Sequence, residues 1–237
     1  MNIFRRNLPN TLTCLNILAG CVAIVFAFHP LDISASLAGW QWACIAIAVA
    51  VAADFLDGFT ARLLKAWSAL GKELDSLSDL VSFGVAPAML LLNMLAIRPE
   101  VPSWLPWIAM LIPVAGALRL ARFNVDTRQT SSFIGLPIPA NALFWIGYVA
   151  LMCHHPEWEW LWSSAVIIPT VIIEAWLMVS PLPLFSLKFH DYRWSGNQHR
   201  WILIAGSALA LIFLGLQGLI PIICFYLILS AFAAPRA

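Results

Sequence analysis

The apolar positions along this chain do not alternate and do not form a one-sided helical stripe. They run on for about 20 residues at a time, the length a helix needs to cross a bilayer. Lipid offers no partner to an open backbone N–H or C=O, so such runs are satisfied only as helices. The runs place candidate spans near 8–28, 40–64, 73–97, 103–122, 136–153 and 160–179. The apolar tail from Trp201 to Ala234 is too long for one crossing and contains "GLQGLIP", whose two glycines and proline interrupt a helix. It therefore reads as two shorter helices, near 200–215 and 219–234. The predicted fold class is all-α, a polytopic helical membrane bundle of about eight spans, with 1–237 as a single membrane domain. Its catalytic core covers about 8–188, and two further C-terminal helices occupy about 200–234.

Composition agrees with lipid as solvent. The mean hydropathy is +0.86, and 62% of residues are hydrophobic against 11% charged. Charge supplies an orientation. Arg5 and Arg6 precede the first span, and Arg62, Lys65 and Lys72 follow the second. Arg119, Arg122 and Arg128 follow the fourth, Lys188, Arg193 and Arg200 the sixth, and Arg236 the last. Only Arg98 falls on the opposite side. The positive-inside rule then places both termini in the cytoplasm, in an inner (cytoplasmic) membrane. No loop carries an extended basic run, which argues against nucleic acid as a partner. Trp40, Trp42, Trp104, Trp107, Trp158, Trp160 and Trp162 fall near the predicted outer ends, as an interfacial aromatic belt would. The five cysteines lack CxxC spacing and read as buried spectator thiols. "LAGC" ending at Cys21 resembles a lipoprotein cleavage site. The polar Asn7, Asn10, Thr11, Thr13 and Asn16 before it, and the apolar run beyond it, favour a retained helix.

One stretch breaks the apolar pattern. "DFLDGFTARLLKAWSALGKELDSLSDL" holds four aspartates. Asp54 and Asp57 are i, i+3 at the inner end of the second span; Asp75 and Asp79 are i, i+4 at the start of the third. Each pair shares one helix face, and a hairpin around 64–71 brings both pairs to similar depth near the cytoplasmic interface. Converging carboxylates repel unless a cation joins them, and acids in a span are functional by default. All-oxygen ligation suits Mg²⁺ or Mn²⁺ rather than zinc. Four aspartates can hold two such ions about 4 Å apart, the arrangement of phosphoryl displacement. Arg62 can grip a phosphate by two bonds, Gly58 and Gly71 leave room for a ligand, and Ser68 can donate to a phosphate oxygen. Two other readings stand beside this one: a cation or proton path in a transporter, and structural acids at helix ends.

The pattern Asp54-x2-Asp57-Gly58-x2-Ala61-Arg62-x8-Gly71-x3-Asp75-x3-Asp79 resembles the full signature of the CDP-alcohol phosphatidyltransferase family, with all eight fixed residues present. "GKELDSLSDLVSFGVAPA", "ALRLARFNV", "GLPIPA", "LPNTLTCLN" and "LMVSPLPLFSLK" are similar to its bacterial phosphatidylserine synthase branch, over Leu8 to about Lys188. Leu80 follows the last aspartate where the phosphatidylglycerophosphate synthases of the family usually carry lysine. Phe59 stands where relatives often have a basic residue.

The resemblance implies the following expectations. CDP-diacylglycerol binds with its pyrophosphate at two divalent cations. Asp54, Asp57 and Asp75 are metal ligands, and Asp79 touches the second metal and acts as general base. Gly58, Arg62, Ser68 and Gly71 contact the CDP moiety, with Asn10 and Thr13 bordering the nucleotide. The L-serine hydroxyl displaces CMP in one step. For the acceptor, Arg119 and Arg122 are candidates for the serine carboxylate, Asn124 for its other end, and Ser82 for support beyond Asp79. The two arginines can equally anchor the helix at lipid headgroups. Glu174, an isolated acid in the sixth span, can meet the serine ammonium, an arginine or a second subunit. The histidines read as ordinary loop residues. Family members are often homodimers. Two alternatives remain: a sister transferase using inositol phosphate or glycerol phosphate, and a cation-coupled transporter.

Overall fold

A computed structural model of the chain describes residues 3–125, 133–185, 194 and 196–233. Arg128, Lys188, His190, Arg193 and Arg236 lie outside these residues. The described residues form nine α-helices joined by short turns and by two ladders of two-residue strands. Five helical stretches are long and apolar enough to cross a membrane: 7–27, 39–64, 69–96, 105–125 and 198–232. Two shorter apolar helices, Ile138–His154 and Ser164–Val179, accompany them. These are the helices of a multi-pass membrane protein. The chain divides into two compact units, Met1–Leu120 and Ala121–Ala237.

In the first unit, α1 (Ile3–Ala27) and α2 (Gly39–Leu64) are joined by a tight ladder in which Ile33 pairs with Ala38 and Ser34 with Leu37. Small residues line the buried side of both helices. Ala19, Ala23, Ala27, Ala43, Ala46 and Ala50 are all buried, which lets the two backbones approach closely, as membrane helices do. Helix α2 ends at Lys65, whose left-handed backbone (φ 50°) turns the chain toward α3 (Ala69–Asp79). Ser68 caps that helix by accepting the Gly71 N–H at 2.9 Å.

The third predicted span is one helical stretch with a wide turn inside it. Between α3 and α4 (Ala86–Ala96), residues Leu80–Val85 adopt π-helical geometry. Pro87 explains the widening. It has no N–H to give, and its ring crowds the carbonyl one turn back, so the preceding turn expands and the helix continues. The turn begins at the residue after Asp79 and carries Ser82 and Phe83 into the interior, both fully buried. It packs on α1 at Gly20, where an added Cβ would lie 2.8 Å from Ser82 Cα. Leu105–Met110 then leads into α5 (Leu111–Val125).

The second unit holds α6 (Ile138–His154), α7 (Ser164–Val179), α8 (Gln198–Leu214) and α9 (Leu219–Ala233). The tail does break where the glycines predict. Gly215 takes φ +56° and Gly215–Gly218 forms a 3₁₀ turn between α8 and α9. Gly147 of α6 lets α9 approach, with Leu219 Cβ 3.0 Å from where a Cβ would stand. The "GLPIPA" segment also has a structural explanation. Gly135 takes φ +75° and lies against the end of α7, 3.1 Å from the Ser180 carbonyl oxygen to an added Cβ. Its N–H donates to Leu182 O at 2.9 Å.

Two expectations change. Trp104, Trp107, Trp158 and Trp160 are exposed, as belt residues are, but Trp40 and Trp162 are buried in protein. Sequence position places a tryptophan at a helix end without saying which way the ring turns. Cys44 alone among the cysteines is buried; Cys14, Cys21 and Cys224 lie on outer helix surfaces.

The contact between Gly20 and the π-turn predicts that Gly20→Ala will destabilise the protein by about 1–3 kcal/mol, since the methyl meets both the Ser82 hydroxyl and, 2.8 Å away, the Ser82 Cα, and the backbone cannot swing aside. A melting curve in detergent will register the drop. Gly58→Ala, inside α2 with nothing within 4 Å of the added carbon, will not lower the melting temperature and will raise it slightly, because alanine loses less backbone entropy in a helix.

Candidate active site

The four aspartates meet in the first unit. Asp54, Asp57 and Asp75 can each offer a carboxylate oxygen such that the three atoms lie within 4.8 Å of one another. Asp79 lies beside Asp54, close enough for the two carboxyl groups to interact electrostatically. Asp57 and Asp79 are buried, while Asp54 and Asp75 are half-buried. The hairpin explains the convergence. Asp57 lies two turns before the end of α2, and Asp75 lies two turns into α3, so a short connection sets them at one level.

Such an array fits a hard divalent cation. Octahedral Mg²⁺ or Mn²⁺ holds oxygens at about 2.1 Å, hence about 3–4 Å from one another, and carboxylates are its preferred ligands. Three acceptor groups this close repel in a poorly solvated setting unless a cation or shared protons intervene. The donor set contains no histidine or thiolate. It therefore suits magnesium or manganese better than zinc.

Helix α1 supplies partners that the aspartate signature does not contain. Thr13 Oγ1 lies 2.6 Å from Asp57 Oδ2 and 3.0 Å from Pro9 O. The shorter, charge-assisted bond to Asp57 takes its single proton. Asn16 Nδ2 donates to Asp79 Oδ1 at 3.3 Å. Ser82 Oγ donates to Asn16 O at 2.9 Å, and Ser78 Oγ lies 3.2 Å from Thr13 O and 2.8 Å from Leu74 O. Arg119, buried in α5, is an electrostatic partner of Asp79.

The remaining candidates are distributed as follows. Asn10 lies beside Gly71, its Oδ1 3.0 Å from where a Gly71 Cβ would be. Ser68 is exposed and its hydroxyl oxygen caps α3. Arg62 is exposed on the last turn of α2, and Gly58 borders open space. Thr13 and Ser82 are buried with their hydroxyls engaged at Asp57 and Asn16. Arg122 and Asn124 belong to the second unit. Arg122 Nη1 donates to Val179 O at 2.7 Å, closing the last turn of α7. Glu174 is buried within α7. Asn16 was not among the site residues expected from the sequence. The available signal was a polar residue three positions after Thr13, on the same helix face, inside an apolar run.

Comparison with known proteins agrees with this site. The family model described as CDP-alcohol phosphatidyltransferase matches residues 6–180. The chain belongs to that family. It is 38% identical over 186 residues to the CDP-diacylglycerol–serine O-phosphatidyltransferase of Mycobacterium leprae. That match covers 75% of this chain and 57% of the relative. It is 40% identical over 140 residues to the protein of that name from Methanocaldococcus jannaschii, covering 59% of each chain. It is 41% identical over 138 residues to the archaetidylserine synthase of Methanothermobacter thermautotrophicus, covering 57% of this chain and 54% of the relative. The matched stretches thus span less than two thirds of these relatives. Helices α8 and α9 lie beyond the family match.

A cation that binds the folded aspartate cluster and not the unfolded chain stabilises the fold. At 100 times its Kd, Mn²⁺ will contribute about 2.7 kcal/mol. Its removal by a chelator will lower the melting temperature of the wild type. Asp57→Asn, which keeps the shape and removes a ligand charge, will abolish the response to Mn²⁺.

Proposed function

We propose that this chain transfers the phosphatidyl group of CDP-diacylglycerol to the hydroxyl of L-serine, releasing CMP. The observation that carries this reading is the convergence of Asp54, Asp57, Asp75 and Asp79 from α2 and α3. It occurs in a family member whose relatives bear serine-transferase names.

The residues divide the work as follows. Asp54, Asp57 and Asp75 hold two divalent cations, Mg²⁺ or Mn²⁺, with Asp79 reaching the second. When bound, these ions neutralise charge on the pyrophosphate of the donor. Arg62, Gly58, Gly71, Ser68 and Asn10 accept the CDP moiety. Gly58 suits this because nothing fills the space its missing side chain would occupy. Asp79 takes the serine hydroxyl proton as that oxygen attacks the phosphorus bearing diacylglycerol, and the P–O bond to CMP breaks. Thr13 acts on this site through Asp57, and Ser82 through the backbone of Asn16.

Arg119 is the arginine we assign to the serine carboxylate, since it is buried and electrostatically coupled to Asp79. Arg122 and Asn124 lie on the following turn of α5. No covalent intermediate is required, because the hydroxyl of the acceptor is itself the nucleophile.

We place the protein in the cytoplasmic membrane with eight crossings, α3 and α4 together forming one. Both termini and the aspartates face the cytoplasm. The distribution of basic residues supports this orientation. A homodimer is carried on the family resemblance alone.

The test is CMP release by purified protein with CDP-diacylglycerol and Mn²⁺ or Mg²⁺, offered serine, glycerol phosphate or inositol phosphate. Serine alone will support release. Asp79→Asn will lower kcat by about 10²–10⁴-fold, the usual contribution of a general base. Release with another alcohol would replace the acceptor assignment, and Mn²⁺ binding without release from any alcohol would overturn the reading.

A further inference from the structure

Thr13 and Asn16 stand three residues apart on one face of α1, and Gly20 continues that face. Each touches a different aspartate pair. Thr13 reaches Asp57, from the pair on α2, at 2.6 Å. Asn16 reaches Asp79, from the pair on α3, at 3.3 Å. A single rigid helix therefore bonds one member of each pair. Its register against the π-turn is fixed separately by Ser82, whose hydroxyl donates to the Asn16 carbonyl at 2.9 Å.

Asn16 carries a further mark. Its side chain is fully buried, yet its Oδ1 has no hydrogen-bond partner among the described residues. A carboxylate only accepts, so the amide nitrogen must face Asp79 and the amide oxygen must turn away. A buried acceptor left in this way is destabilising, while the amide nitrogen satisfies the buried Asp79 carboxylate. An apolar residue here would remove both effects, which oppose each other in stability, and would leave Asp79 without its orienting donor.

We propose that Thr13 and Asn16 are positioning residues. From α1 they form a clamp that fixes the orientation of Asp57 and Asp79, and with it the spacing between the two aspartate pairs. With one oxygen of Asp79 held by Asn16, the other is presented to the cation and the acceptor hydroxyl. Thr13 likewise leaves Asp57 one oxygen for ligation. The inference takes its catalytic consequence from the transferase reading, while its effect on cation binding stands without it.

The experiment uses the full chain in detergent or nanodiscs, with Thr13→Val and Asn16→Leu as near-isosteric variants. Three quantities are measured: Mn²⁺ affinity, melting temperature, and kcat and KM with serine. Hydrogen bonds behind a ligating carboxylate contribute about 10–100-fold to metal affinity or activity. Both variants will bind Mn²⁺ at least about 10-fold more weakly. Asn16→Leu will melt near the wild-type temperature, the unpaired amide oxygen removed offsetting the donor lost to Asp79, while kcat falls at least about 10-fold and the serine KM stays within about 3-fold.

Mn²⁺ affinities within twofold of wild type in both variants would overturn the clamp. So would an Asn16→Leu protein that melts well below wild type with kcat and KM damaged together, the signature of a structural role. If the wild type releases no CMP with serine, the transferase reading fails, and the Mn²⁺ affinities of the two variants still decide the clamp. Should Asn16→Leu not fold, that outcome counts against the proposal for Asn16, and Thr13→Val tests the other arm.

Discussion

Mutual repulsion among carboxylates in a poorly solvated setting is the constraint on which the rest of this structure depends. Asp54, Asp57, Asp75 and Asp79 gain nothing from one another, and an apolar surround makes their proximity costly. They come together because the α2–α3 connection is short and because buried surfaces on either side leave the two helix ends nowhere else to go. A cluster so held is a site of high potential for a divalent cation. The same energy that opposes its assembly favours the ion that joins it.

The first helix turns a tolerable cluster into an ordered one. Its inward stripe consists of small and polar residues rather than bulky apolar ones: Thr13, Asn16, Ala19, Gly20 and Ala23 are buried. Small residues admit close backbone approach, and the polar ones then reach across the gap. The widened turn after Asp79 belongs to the same arrangement. Pro87 loosens the helix beneath it, and Ser82 on that turn locks to α1. A helical irregularity and a clustered carboxylate are neighbours here, since the widened turn ahead of Pro87 begins at the residue after Asp79.

The second unit has a different economy. Its turns are closed by backbone carbonyls that accept from side chains and from a left-handed glycine. Arg122 closes α7 at Val179, Gly135 lies against the same helix end, and Tyr226 of α9 donates to Phe185 O at 3.0 Å. These contacts account for several residues of the family-like segments "GLPIPA" and "LMVSPLPLFSLK" as structural ones. A short motif shared with relatives can record a turn that must be made as readily as a substrate that must be bound.

Much of this protein was legible in its sequence because lipid leaves few alternatives. A run of about 20 apolar residues can only be a helix, and aspartates at i, i+3 and i, i+4 can only share a face. Hence the helices, the break at Gly215, and the meeting of the two aspartate pairs followed from local pattern alone. What the pattern could not contain is contact between elements distant in sequence. That Thr13 serves Asp57 across 44 positions and Asn16 serves Asp79 across 63 depends on how α1 is rotated against α2 and α3. Which tryptophans turn inward depends on the same packing. Spacing along a chain fixes the face on which a side chain lies. Only the tertiary structure decides what that face is pressed against.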